Sequence, residues 1–364
     1  MDEQPQNPGS QAQPLGRAAV WVARLSAWAT WLYAAGLALL LGAMEWIGER
    51  NWLVATCLYV PAQAWLLPLL VLAPVSLAFQ RRLLWWHLGC CVFVLFIYMD
   101  PEWSWRPPPR GPSLVLMTNN IGQNNRQSIT EFLREQNPDI VLLQEARARG
   151  SRYQRSFPEY QMAEQAEFVM LSKFPIMSSQ VVELPGQQRF PVAARFEIEW
   201  QGRRVAVYSV HLPTPRRELF RLRGAGLLIA LAGIGQEQTA PGRFRREIAE
   251  AWANRIELAR ALLERLKNEP LPFLVAGDFN MPNHGFLYRM FSRELVDAFE
   301  KRGRGYGFTF PGYSLNPLTG FGPWLRIDYC FAGHGFTVTD CRTESGRRSQ
   351  HRAVAARFEP DSRY

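Results

Sequence analysis

The stretch "LVAGDFNMP", residues 274–282, runs from apolar residues straight into Gly277, Asp278, Phe279 and Asn280. Side chains two apart on extended backbone point the same way, so a strand end here predicts Asp278 and Asn280 on one side. A carboxylate and a carboxamide facing one spot suit a hard cation, or a phosphate beside one. The same residues also read as a strand ending in an Asx turn. The rest of the chain has to decide between the two.

Five more stretches repeat the pattern. "LVLMTNNIG" (114–122) ends in Asn119 and Asn120, "DIVLLQEA" (139–146) in Gln144 and Glu145, and "VAVYSVHLPTP" (205–215) passes through His211. "WLRIDYCF" (324–331) carries Asp328, and "SQHRAV" (349–354) places Gln350 and His351 before a last apolar run. One polar residue after an apolar run is ordinary, because strands must leave the core. Six such ends holding only acids, amides and histidines argue for convergence on one site. Two ambiguities remain at this level: Asp328 beside Arg326 also reads as a plain ion pair, and Asn119 competes with Asn120 for the inward position.

The strands expected from these runs are Ser113–Asn120, Asp139–Glu145, Phe168–Ser172, Ala193–Trp200, Arg204–His211, Pro272–Gly277, Arg326–Phe331 and Ala353–Phe358. Ser128–Glu135 reads as a helix, with Ser128 as N-cap and Glu131 three residues on. A charged helical pattern runs from about Arg243 to Lys267. About eight strands with peripheral helices and no internal repeat indicate two packed sheets flanked by helices.

The first hundred residues are different. Apolar stretches at Ala27–Trp46, Trp52–Phe79 and Leu83–Met99 approach the roughly 20 residues that a membrane-crossing helix needs, and they lack the polar stripe of a soluble helix. Pro61, Pro68 and Pro74 predict a kinked second span. Tryptophans gather near the predicted ends, where amphipathic rings favour the interface. Arg17, Arg24, Arg81 and Arg82 lie on one predicted side, whereas Glu49, Asp100 and Glu102 lie on the other. This bias predicts a cytoplasmic tail (1–26), a transmembrane region (27–99), a stiff Pro-rich linker (100–112) and a domain outside the cytoplasm (113–364).

The net charge of +9 decides little, because the basic excess is almost wholly arginine, with lysine only at 173, 267 and 301. Cys57, Cys90 and Cys91 fall within the predicted spans and read as packing residues. Cys330 and Cys341 flank an expected hairpin at Gly333–Gly335 and could pair, although strand register does not obviously oppose them. No Cys/His cluster suggests zinc. "LFRLRGAGLLIALAGIGQEQ" (219–238) is either a core helix burdened by four glycines or a flexible apolar loop near a membrane.

Taken in order and spacing, these motifs resemble the endonuclease/exonuclease/phosphatase superfamily from about Leu114 to Phe358, including "LSKFPI" (171–176) for the family's Leu-Ser-Arg-aromatic-Pro-Ile segment. The resemblance implies an α/β fold, a four-layer α-β-β-α sandwich, here preceded by about three transmembrane helices. It implies Glu145 as principal metal ligand, supported by Asn120, for Mg²⁺ or Mn²⁺. Asp278 would orient or deprotonate the attacking water, Asn280 would hold a phosphate oxygen, His211 and His351 would donate to phosphoryl oxygens, and Asp328 would orient one histidine. Two departures stand out. Gln350 replaces the Asp usual before the last histidine, which puts a second metal in doubt, and Ala353 replaces a common proline.

The first functional expectation is a membrane-anchored, metal-dependent phosphodiesterase or phosphatase with the lipid bilayer as partner, acting on phospholipid head groups or lipid-linked phosphates. An anchored nuclease for extracellular DNA is the alternative, motivated only by the arginine excess. A degenerate member that binds a phosphorylated ligand without turnover is the third, motivated by Gln350.

Overall fold

The computed structural model describes residues 17–105, 111–122, 129–187, 190–312, 319–320, 322–346 and 348–361. Ser128 and the linker residues 106–110 lie outside them. The chain divides into two compact units: described residues up to Leu39 with Ala62–Ile97, and Leu40–Pro61 with Tyr98 onward.

In the first unit three helices are long and apolar enough to cross a membrane: Arg17–Trp46, Ala62–Phe79 and Arg81–Tyr98. The first and third meet through Thr30 Oγ1 and His87 Nε2 at 3.0 Å and a Trp31–Trp86 contact with ring centroids 4.1 Å apart, and the first meets the second where Tyr33 Oη donates to the Trp65 carbonyl at 2.9 Å. Arg17–Ser26, assigned to the tail from the sequence, are helical, because no breaker precedes the apolar core of the helix. The second stretch is not one kinked helix. Trp52–Cys57 forms a separate short helix capped by Asn51, and Val60-Pro61 separates it from Ala62–Leu66 and Leu69–Phe79. Pro61 lacks the N–H that a continuing helix would need there.

The second unit contains two six-stranded sheets. In chain order the strands are β1 (Leu114–Asn120), β2 (Ile140–Gln144), β3 (Gln161–Gln165), β4 (Phe168–Ser172), β5 (Ile176–Val181), β6 (Ala193–Trp200), β7 (Arg203–His211), β8 (Phe273–Asp278), β9 (Val296–Asp297), β10 (Asp328–Ala332), β11 (Phe336–Thr343) and β12 (Val354–Pro360). One sheet runs β9-β10-β8-β7-β6-β5 and the other β11-β12-β1-β2-β4-β3.

Alternation explains why the strands read as unbroken apolar runs: both of their faces are buried. Leu114, Leu116, Ile140 and Leu142 meet Val205, Val207, Leu274 and Ala276 between the sheets. Met117, Val141 and Leu143 point outward onto Phe132, Leu133 and Tyr153 of helices Thr130–Gln136 and Gly150–Ser156. On the far side Tyr208, Phe273 and Val275 pack on Ala259, Leu262 and Leu266 of helix Ala240–Lys267. The result is the expected α-β-β-α sandwich.

All eight expected strands occur within two residues of their expected bounds at each end. β3, β5, β9 and β11 were missed; all four are edge strands, and none is buried along its whole length as the strands between them mostly are. The expected hairpin at Gly333–Gly335 is instead a crossover: β10 pairs with β8 and β9, whereas β11 pairs with β12 in the other sheet. Cys330 and Cys341 accordingly lie buried in the core between the sheets with no disulfide between them.

Candidate active site

Counting by twos along the inner faces leads from core to chemistry. Leu114, Leu116, Thr118 and Asn120 share a face, as do Ile140, Leu142 and Gln144, then Val205, Val207, Ser209 and His211, and Leu274, Ala276 and Asp278. The apolar positions fill the space between the sheets. The next residues up form a buried polar floor, in which Gln144 Nε2 donates to Ser209 Oγ at 2.9 Å and to Thr118 Oγ1 at 3.1 Å. Asn120, His211 and Asp278 stand at its mouth.

β1, β2, β7 and β8 reach this edge with their C-terminal ends. Antiparallel neighbours reach it with their beginnings, so Asp328 at the start of β10 lies directly opposite Asp278, and His211 lies opposite Asp278 on the other side. His351 enters just ahead of β12, which pairs antiparallel with β1.

Asp278 Oδ2 is the centre of the cluster. It accepts from Asn120 Nδ2 at 3.0 Å and from Asn280 Nδ2 at 3.1 Å. His211 Nε2 and His351 Nε2 approach it from two sides at 3.6 and 3.7 Å. Each imidazole is backed by a carboxylate at Nδ1: His351 by Asp328 at 2.9 Å and His211 by Glu167 at 2.6 Å. Asn120 Nδ2 also reaches Glu145 Oε1 at 3.1 Å, so one amide bridges two acids.

The geometry settles the ambiguities left by the sequence. Asn120 faces the site, while Asn119 supports it from outside by donating to the His351 carbonyl at 3.2 Å. Arg326 pairs with Asp297, leaving Asp328 to His351. The Asx-turn reading of "GDFN" holds: Asn280 N donates to Asp278 Oδ1, and it is that turn, not strand alternation, which brings the two side chains together. Asn280 takes φ of 48°, a left-handed conformation that Asn tolerates. Its amide nitrogen donates to the Leu212 carbonyl and to Asp278, so its N–H groups position the loop. Gln350 lies half-buried beside the left-handed Gly122, with Oε1 4.0 Å from where a Cβ would sit.

Glu167 was missed. It stands at the start of β4, and that strand runs antiparallel to β2, so its beginning shares an edge with the ends of β1 and β2. Reading only strand ends overlooks it; a polar residue just before an apolar run was the available signal. Tyr59 and Arg255 were missed as well. Both donate to the Asn280 carbonyl, at 2.7 and 2.8 Å.

Burial alone would lower the His351 ring, but Asp328, Asp278 and Glu145 outweigh it and hold the ring up to about 9. Burial likewise opposes protonation of His211, and its bond to Glu167 with the charges of Asp278, Glu167 and Glu145 raises it. Burial pushes Asp328 up while the His351 ring pulls it down. We read the pair as imidazolium and carboxylate, because a second acid, Asp278, also faces the ring.

Four acids, Glu145, Glu167, Asp278 and Asp328, thus meet two imidazoles, an excess of negative charge that suits a hard cation. Glu145 offers carboxylate oxygens for one at the open side; Asn120 beside it turns Nδ2 to Glu145, and its Oδ1 accepts from Gly122 N at 2.9 Å. Asp278, Asp328 and His351 also place ligand atoms within 4.8 Å of one another.

A family model described as the Endonuclease/Exonuclease/phosphatase family matches residues 117–351. Similar solved structures include a humanized D. rerio TDP2 bearing 14 mutations, with 16% identity over 68% of this chain and 99% of that one, TM-score 0.48. The human Nocturnin catalytic domain with bound sulfate has 16% identity over 68% and 95%, TM-score 0.48. A mannosyl-6-phosphatase of Bacteroides thetaiotaomicron has 16% identity over 68% and 99%, TM-score 0.46. No curated protein matches the chain.

Proposed function

Because the chain belongs to the endonuclease/exonuclease/phosphatase family of phosphoester hydrolases, we propose that it is a membrane-anchored, divalent-metal-dependent hydrolase working outside the cytoplasm on phospholipid head groups or other lipid-linked phosphates. The observation that carries this reading is the convergence of two carboxylate-backed imidazoles on Asp278 beside Glu145.

Glu145 and Asn120 would hold Mg²⁺ or Mn²⁺, which supplies a Lewis acid toward a phosphoryl oxygen when bound. Asp278 orients the attacking water and accepts its proton. The Nε2 atoms of His211 and His351 lie beyond hydrogen-bond reach of Asp278, so each can donate to a phosphoryl oxygen as charge accumulates there. Asp328 and Glu167 fix the two rings and favour their protonated forms, as carboxylates do for catalytic imidazoles. Asn280 closes the site behind Asp278.

The lipid assignment rests on location. Two candidate spans separate Pro61 from Asp100, yet Leu40–Pro61 and the residues from Tyr98 onward belong to one compact unit. A double crossing returns the chain to the same side, which agrees with that grouping. An active site tethered there has head groups within reach.

The test is turnover by the full-length protein in detergent with Mg²⁺ or Mn²⁺ across a panel of lipid phosphoesters. Glu145→Ala and His351→Ala should each abolish hydrolysis with the melting transition retained. A wild-type protein inert across the panel would reject the lipid reading. Turnover of plasmid DNA that falls steeply with salt would instead support the nuclease alternative.

A further inference from the structure

The apolar segment 219–238 forms two helices, Arg216–Arg221 and Ala225–Ala232, joined through Gly224 at φ 58°. One side is buried: Leu222 and Ala230 pack with Trp52, Ala55, Ile248 and Trp252. The other is not. Phe220 and Leu228 are 67% and 68% exposed, and Ile229 and Ile234 are exposed beside them. A surface helix of a soluble domain turns polar side chains outward; Ala225–Ala232 has none.

We infer that this face is a lipid-bilayer contact surface. Its buried side packs on Ile248 and Trp252 of helix Ala240–Lys267, and the same cluster takes in Trp52 and Ala55 of helix Trp52–Cys57, which lies between the first candidate span, ending at Trp46, and the second, beginning at Ala62. Even fully extended at roughly 3.5 Å per residue, the link from Cys57 to Ala62 is no longer than about 18 Å. The exposed apolar face is therefore held close to two points of membrane entry. Its rim is basic: Arg217 and Arg223 are exposed, and the Arg223 guanidinium lies 5.4 Å from the centroid of the Phe220 ring. Apolar residues rimmed by arginine suit the head-group layer of an anionic leaflet. The inference rests on the membrane reading but not on catalysis.

A nitroxide attached at Leu228→Cys, and separately at Ile234→Cys, tests it in the full chain reconstituted into phosphatidylcholine/phosphatidylglycerol vesicles. None of the native cysteines is exposed, so the introduced thiol labels selectively. Leu70→Cys within a candidate span serves as the lipid reference and Arg203→Cys, exposed at the start of β7, as the aqueous one. Labels at 228 and 234 should collide readily with oxygen and poorly with a water-soluble nickel chelate, as at 70 and unlike at 203. An aqueous signature at 70 removes the membrane reading and the inference together. A lipid signature at 70 with an aqueous one at 228 and 234 overturns the inference alone. So does exclusion of both reagents at 228 and 234, the mark of a protein partner or a second copy.

Discussion

Tyr59 Oη donates a 2.7 Å hydrogen bond to the backbone carbonyl of Asn280, joining the segment between two candidate membrane spans to the loop that closes the active site. Arg255 Nη2 donates to the same oxygen at 2.8 Å. Together they fix a left-handed residue whose side chain bonds Asp278. Tyr59→Phe keeps the ring against Trp252 and removes one donor. A hydrogen bond of this kind contributes about 1 kcal/mol. Steady-state kinetics should show kcat falling about fivefold with KM little changed, and denaturation should show a loss of about 1 kcal/mol; an unchanged kcat would sever the link to the site.

His351 sets the alkaline limit. Its folded pKa of about 9 exceeds the ordinary value near 6.5, so the ion pair with Asp328 stabilises the fold fully below about 6.5. That contribution fades as pH rises through about 9. The rate should fall over the same interval, because the neutral ring has no Nε2 proton to give while Nδ1–H serves Asp328. Asp328→Asn removes the neighbouring anion, and the descending limb of the kcat/KM profile should move to lower pH. A limb that stays in place would assign it to another group.

Glu167 holds His211 from the opposite side. Glu167→Gln keeps an acceptor but loses the charge that raises the ring. Activity should fall about tenfold to a hundredfold, the scale typical of outer partners of catalytic or metal-bound imidazoles. The pH profile should narrow on its alkaline side, whereas a purely structural role would alter the melting temperature alone.

Cation dependence should be lost at Glu145. Calorimetric titration with Mn²⁺ should show binding to wild type and loss of about tenfold or more in affinity in Glu145→Gln, because the amide removes the ligand's negative charge while keeping its shape. Chelation by EDTA should silence the wild type, and added Mn²⁺ should restore it. Full activity in EDTA would refute metal dependence.

Arg326 is a test of the scaffold. It is buried against Asp297 beneath Tyr288 and Tyr329. Arg326→Ala leaves Asp297 buried without its cation, which should destabilise the fold by about 3–5 kcal/mol in denaturant titration.

Much of this site could be read from order and type alone. An inner-face strand position must be apolar while it is covered by the facing sheet, so the first polar side chains mark where the core opens. Applied where an apolar run ends or begins, that rule picked out the pair Asn119 and Asn120 with Glu145, His211, Asp278, Asp328 and His351 without coordinates. It overlooked Glu167, a single polar residue just ahead of β4. It also failed where the contribution is a hydrogen bond to a backbone carbonyl, as with Tyr59 and Arg255, whose own neighbours in sequence carry no sign of it.

The sequence by itself determined the alternating strands, their polar mouths, the three apolar N-terminal helices and the family, because periodicity and side-chain type are local properties. Only the tertiary structure decided which asparagine faces inward, which acid each imidazole meets, that Cys330 and Cys341 form no disulfide, and that Trp52–Cys57 packs with the catalytic domain. Those depend on strand pairing and on contacts between residues up to about two hundred positions apart, and no local pattern encodes such distances.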